Sequence, residues 1–195
     1  MVDLIDVEPS GEAMRIAREV RKDPRLVEVV LSESRRIVRQ APDVLIVEHR
    51  LGYVMANAGV DMSNVQQGER GTCALLLPEN PDRSACRLRE AIAAASGADM
   101  AVVINDSFGR PWRQGVTGVA LGASGIPALR DRRGRPDLFG RKLEVTVVCF
   151  ADEIAAAASL VMGQGDEGLP VVLVRGLSWD APAPPALSIC RPSAT

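Results

Sequence analysis

Three polar stretches of this 195-residue chain combine glycines with carboxylates and amides: ANAGVDMSN (56–64), NDSFGRPWRQG (105–115) and LVMGQGDEGLP (160–170). Each interrupts an otherwise apolar segment where a strand or helix ends, and loops on a rigid scaffold are where binding groups usually sit. Asp61, Asn64, Asp106, Ser107 and Gln164 form a set of oxygen donors without sulfur or imidazole. That is the ligand set Mg²⁺ or Mn²⁺ prefers. Gly163, Gly165 and Gly168 would let backbone N–H groups approach phosphate oxygens, a role that needs no lysine loop. Taken singly, such Gly/Asp/Asn clusters are ordinary turns. Arg110 and Arg113 add something a turn does not require. One arginine near Asp106 makes a plain ion pair, whereas two around Pro111-Trp112 suit an anionic ligand. The chemistry implied is a hard metal working with phosphates.

Composition narrows the alternatives. The length suits one ordinary domain, or one with a small lobe attached, able to bury a real core. Net charge is -2 with both signs spread along the chain, so no basic stripe points to nucleic acid. Lysine occurs only as Lys22 and Lys142, so anions held by side chains fall to arginine. The G-x-x-x-x-G-K-[ST] phosphate loop is missing. His49, the only histidine, rules out a His-based metal cluster and reads as a strand-end residue. Cys73, Cys86, Cys149 and Cys190 lie far apart with no C-x-x-C pair, and no twenty-residue apolar span appears. The expectation is a reduced, cytoplasmic protein without a membrane segment.

The elements that must position these residues follow from local signals. Pro9-Ser10 with Glu12 predicts a helix through about Val20, and Asp23-Pro24 starts a second, with Leu26, Val27, Val30, Leu31, Ile37 and Val38 on one face. VLIVE (44–48) and GYVMANAG (52–59) read as strands joined by a tight turn at 50–52, with TCALLLP (72–78) a third apolar run. Asn80-Pro81 opens a helix that Gly97 stops. MAVVIND (100–106) reads as a buried strand ending at Asp106, followed by VTGVALG (116–122) and the excursion RDRRGRPDLFG. Then come a strand LEVTVVCF (143–150), a helix DEIAAAASLVM and a strand PVVLVRG (170–176). Strands and helices mix without strict alternation, which predicts an α+β fold, a mixed β-sheet with flanking helices. The expected domain covers 1–176, and a proline-rich tail covers 177–195.

Several longer motifs occur together: VEPSGEAMRIAREVRKDPRLVEVVLSES, ANAGVDMSN, LLLPENPDRSA, NDSFGRPWRQGVTGVALGASG, DRRGRPDLFGR and TVVCFADEIAAAASLVMGQGDEGLPVVLVRG. In order and spacing they resemble the coenzyme F420-0:L-glutamate ligase family, the F420 gamma-glutamyl ligases, from about residue 3 to 176. The resemblance implies that family's fold and a GTP-dependent ligase. Such an enzyme adds L-glutamate to the lactyl carboxylate of the deazaflavin precursor coenzyme F420-0 through an acyl phosphate, with Mg²⁺ or Mn²⁺ on the nucleotide phosphates. By motif position it implies metal-binding roles for Asp61, Asp106, Ser107 and Gln164. Ser107 stands where the family usually has threonine. It implies nucleotide contacts for Asn64 and for the segment Met162, Gly163, Gln164, Gly165, Asp166, Glu167, Gly168 and Leu169. Arg110 and Arg113 are assigned to anionic substrate or phosphate. A homodimer is implied too, and so is a further segment of roughly fifty residues ahead of Met1, well below a domain in length, carrying part of the nucleotide site. The alternative expectation is a catalytically impaired member acting as a metal- or nucleotide-binding or assembly subunit.

Overall fold

The computed structural model describes residues 1–65 and 72–179. The expected tail therefore lies outside the described residues from position 180 on, as does Cys190. Two compact units divide the chain, Met1–Pro78 and a second beginning at Glu79.

In the first unit, helix α1 (Gly11–Val20) begins where the Ser10 hydroxyl accepts the Ala13 N–H at 3.2 Å, and it buries Ala13, Ile16, Ala17 and Val20. Helix α2 (Pro24–Ser32) starts with Pro24 in its first turn, and Asp23 accepts the Arg25 N–H at 2.8 Å. It buries Leu26, Val27, Val29 and Val30. Ile37 and Val38, expected on that helix face, belong instead to strand β2 (Ser34–Ala41). The Ser32 and Ser34 hydroxyls donate to the carbonyls of Val29 and Val30 at 2.8 and 2.6 Å, which closes the last turn. The following residues then pair antiparallel with β3 (Val44–His49), and β4 (Val54–Ala56) pairs with β3's other edge. The strand expected over 52–59 is thus only three residues long, because Asn57, Ala58 and Gly59 all take left-handed backbone angles, φ 51°, 53° and 67°. A second pair joins β1 (Val2–Asp3) to β5 (Cys73–Ala74). The core gathers Leu4, Ile16, Val20, Val27, Val30, Leu45 and Val47.

The second unit is built on the hairpin of β6 (Val102–Gly109) and β7 (Val116–Ser124), which packs against helices α3 (Pro81–Ser96) and α4 (Phe150–Met162). Helix α3 has the ends its sequence announces. Asn80 accepts the Arg83 N–H at 2.9 Å, and Gly97 turns left-handed at φ 71°. A register shift between Ile104 and Asn105 lets β7 present Gly118 to α4 and Gly122 to α3. The strand expected over 143–150 shortens to β9 (Val147–Cys149), paired with β8 (Leu129–Asp131). The hairpin between them stays closed through Arg132 N–H to Thr146 O at 2.9 Å and Leu143 N–H to Arg135 O at 2.9 Å. Phe150, counted with that strand, opens α4. Residues 170–176, expected as a strand, belong to no helix or strand. Their alternating apolar pattern fits a pleated ladder, but a ladder also needs a neighbouring edge. The α+β class holds, and every strand pairing among the described residues is antiparallel. No helix among them is long and apolar enough to cross a membrane.

Candidate active site

Asp61 and Asn64 lie in the first unit, immediately after the left-handed turn at 57–59. Three consecutive residues with positive φ store strain when two of them carry a Cβ, and Gly59 is required because a Cβ there would press on Leu77 and Met55. The turn delivers Asp61 to a backbone bridge with Leu75, with N–H to O distances of 3.1 and 2.8 Å in the two directions. Its exposed carboxylate is oriented by Ser63, whose N–H and hydroxyl donate to Oδ1 at 2.8 and 2.7 Å. Asn64 follows at φ 51° and is also exposed. Ser63 was not singled out from sequence, although an acid followed two residues later by serine is the ordinary signal for such a side-chain turn.

The remaining candidates lie in the second unit. Asp106 and Ser107 are in mid-strand, half-buried, because β6 runs three residues past the expected end at Asp106. The Ser107 N–H donates to Asp106 Oδ1 at 2.7 Å. Asn105, which was not singled out, donates from Nδ2 to Met162 Sδ at 3.7 Å, tying the strand to the end of α4 where the Met162–Leu169 segment begins. Arg110 and Arg113 sit with Trp112 on the exposed turn joining β6 to β7, and Trp112 takes φ 54°. Both guanidinium groups are exposed on this turn. Gln164, Gly165, Asp166, Glu167, Gly168 and Leu169 are exposed after α4, with Gly163 and Gly168 at φ 72° and 65°.

Among the described residues no three of His, Cys, Asp or Glu converge as a metal cluster. The candidate donor set holds two aspartates and is completed by a hydroxyl and an amide oxygen. All are oxygen donors, the type Mg²⁺ or Mn²⁺ prefers, with Asp61 in the first unit and Asp106, Ser107 and Gln164 in the second. Cys149, at the entrance to α4, is no nucleophile. Burial first, and then the neighbouring Asp152, push its thiol up to about 12, so it stays protonated at neutral pH.

The chain matches the family model for F420-0:gamma-glutamyl ligase over residues 1–176. It is 52% identical to the Coenzyme F420:L-glutamate ligase of Methanopyrus kandleri, over 91% of this chain and 69% of that protein. Identity to the protein of the same name from Methanothermobacter thermautotrophicus is 49%, over 92% of this chain and 69% of the relative. For that of Methanosarcina mazei it is 41%, over 90% and 67%. A match that runs through all three polar stretches and both units makes this chain a member of the F420-0:gamma-glutamyl ligase family.

Proposed function

We propose that this chain is a GTP-dependent ligase joining L-glutamate to the lactyl carboxylate of coenzyme F420-0, in coenzyme F420 biosynthesis. The observation that carries the reading is the family match, because relatives bearing the ligase name align across nearly the whole chain. A carboxylate oxygen of the acceptor attacks the γ-phosphorus of GTP. The bond from that phosphorus to the β-phosphate oxygen breaks, and GDP leaves. The glutamate amine then attacks the acyl carbon, phosphate departs with the C–O electron pair, and the amine loses a proton as the amide forms. No covalent bond to the protein is required.

In this reading Asp61 in the first unit and Asp106, Ser107 and Gln164 in the second supply oxygen ligands to divalent cations. When bound, these cations neutralise charge on the nucleotide phosphates. Asn64 and residues 162–169 seat the nucleotide. Arg110 and Arg113, two exposed guanidinium groups on one turn, hold the anionic acceptor or a phosphate.

The test is the melting temperature of the chain with and without Mn²⁺ and GDP. Ligand at a hundred times its dissociation constant stabilises by about 2.7 kcal/mol, a rise of roughly 5–10 °C for a chain this long. Asp106→Ala should lose that rise. No shift at millimolar ligand overturns the reading for this chain and favours an assembly subunit.

A homodimer belongs to the same proposal. Leu160, Val171 and Leu173 are 88%, 83% and 61% exposed. A second copy that covers the apolar run at 170–175 would supply the neighbouring edge that this segment does not have among the described residues.

A further inference from the structure

The loop that follows α4 closes on itself. Gly163 ends the helix at φ 72°, its N–H donating to Ser159 O at 3.2 Å. Four residues later the Glu167 side chain turns back, and its Oε2 accepts the Gly165 N–H at 2.8 Å. The carboxyl lies so close to Gly163 that any Cβ there would overlap it. Backbone N–H groups of Glu167 itself, Gly165 and Gln164 hold this carboxyl below the usual glutamate range, against a smaller opposing effect of burial. Successive N–H groups that converge on one anion form the concavity that binds phosphates in many proteins. The end of a helix is otherwise a poor place for negative charge, since the carbonyls there carry the negative pole. The Gly165 N–H, and not the helix, therefore holds the carboxylate.

We propose that Glu167 is an internal stand-in for phosphate: its carboxylate, accepting the Gly165 N–H and lying against Gly163, occupies the turn of residues 163–167, and a nucleotide phosphate binds there by displacing it. This rests on the reading above that residues 162–169 seat a nucleotide, and it gives that segment a means of discrimination. The reaction assigned to this protein handles two carboxylate-bearing substrates, glutamate and the acceptor. A tethered carboxylate competes at the effective concentration of its short connection, which reaches the millimolar range for flexible links. Free carboxylates at lower concentration are excluded by a group of their own chemistry. A phosphate, with more charge and more acceptor oxygens, is not. Glu167 is thus a specificity-determining residue that acts by occupying the site and withdrawing from it.

The proposal predicts a sign opposite to that of an ordinary contact residue. Titrating the full chain with GDP in the presence of Mn²⁺ by calorimetry, Glu167→Ala should bind more tightly than wild type. The gain should be about three- to thirtyfold, because the turn no longer has to be vacated before it binds. Glu167→Gln, which keeps an acceptor but loses the charge, should fall between the two. Glutarate added as a competitor should weaken GDP binding to Glu167→Ala and leave wild type unaffected. If both variants bind GDP as weakly as wild type or more weakly, Glu167 is a direct or structural contributor and the inference falls, while the nucleotide reading stands. If none of the three proteins binds GDP, both fall together.

Discussion

His49 is fully buried, and its two ring nitrogens meet different demands. Nδ1 accepts the Leu51 N–H at 2.9 Å, which leaves the proton on Nε2, 3.4 Å from Glu33 Oε2. Glu33 is already engaged by Arg50 Nε at 2.8 Å. Burial lowers the pKa of His49 and outweighs the opposing pull of Glu33, while Arg50 and Arg35 add to the lowering. The unfolded chain, whose imidazole titrates near 6.5, then binds a proton that the folded chain refuses. This contribution to stability is whole above that value and is lost as pH falls below it. Urea unfolding followed from pH 7.5 to 5 should show the midpoint falling in that direction. His49→Asn, which keeps an acceptor for Leu51 without an ionisable ring, should be less stable at pH 7.5 but flatter with pH. An equal slope in both proteins would remove His49 as the cause. The reading of this residue as the end of a strand was available from VLIVEH; its isolation from solvent was not, because it depends on residues 33 and 50 meeting across a turn.

Strand β7 shows how elements carry more than the sequence pattern discloses. Its irregular register takes the Ala120 and Ala123 N–H groups to side-chain partners, the carboxylates of Asp152 and Asp82, each at 2.9 Å. Both acids stand in the first turns of their helices, where negative charge is favoured. Each helix is thus fixed to the strand by an acid that also suits its own N-terminus. Gly118 completes the fit, because a Cβ there would overlap the Ala155 carbonyl as well as the Ser159 hydroxyl. Gly118→Ala should therefore cost about 1–3 kcal/mol or more in chemical denaturation. Adding Ser159→Ala should not restore it, since the backbone carbonyl remains. Full rescue by that second change would show that only the hydroxyl was in the way. Helices α1, α2 and α3 were legible where capping residues mark their starts, as Ser10, Asp23 and Asn80 do. Strand β2 was not, because Ile37 and Val38 continue a helical spacing that two serine hydroxyls interrupt. The segment at 170–175 was misread for the opposite reason, since its pattern describes a pleat and says nothing of what lies alongside.

At the scale of the molecule, the candidate residues were recognisable by type and motif, but their distribution over two units was not. No local pattern reports that Asp61 and Asp106 belong to different compact bodies. Assembly follows the same logic. If a second copy covers the run at 170–175, sedimentation velocity at micromolar concentration should give a dimer, and Leu173→Asp should shift it to monomer with its far-ultraviolet dichroism unchanged. A wild-type chain that sediments as monomer throughout would end that proposal. The two tryptophans divide along similar lines. Trp112 is wholly exposed between Arg110 and Arg113, while Trp179 is half-buried, its Nε1–H donating to Gly125 O at 3.1 Å and its ring 6.4 Å from Phe150, over which Arg130 lies. Indole emission moves to the red in water, so the protein carries two spectrally separable lamps. One stands in the path of any anion drawn to the two guanidinium groups; the other is attached to the base of the β8–β9 hairpin and reports on its attachment alone.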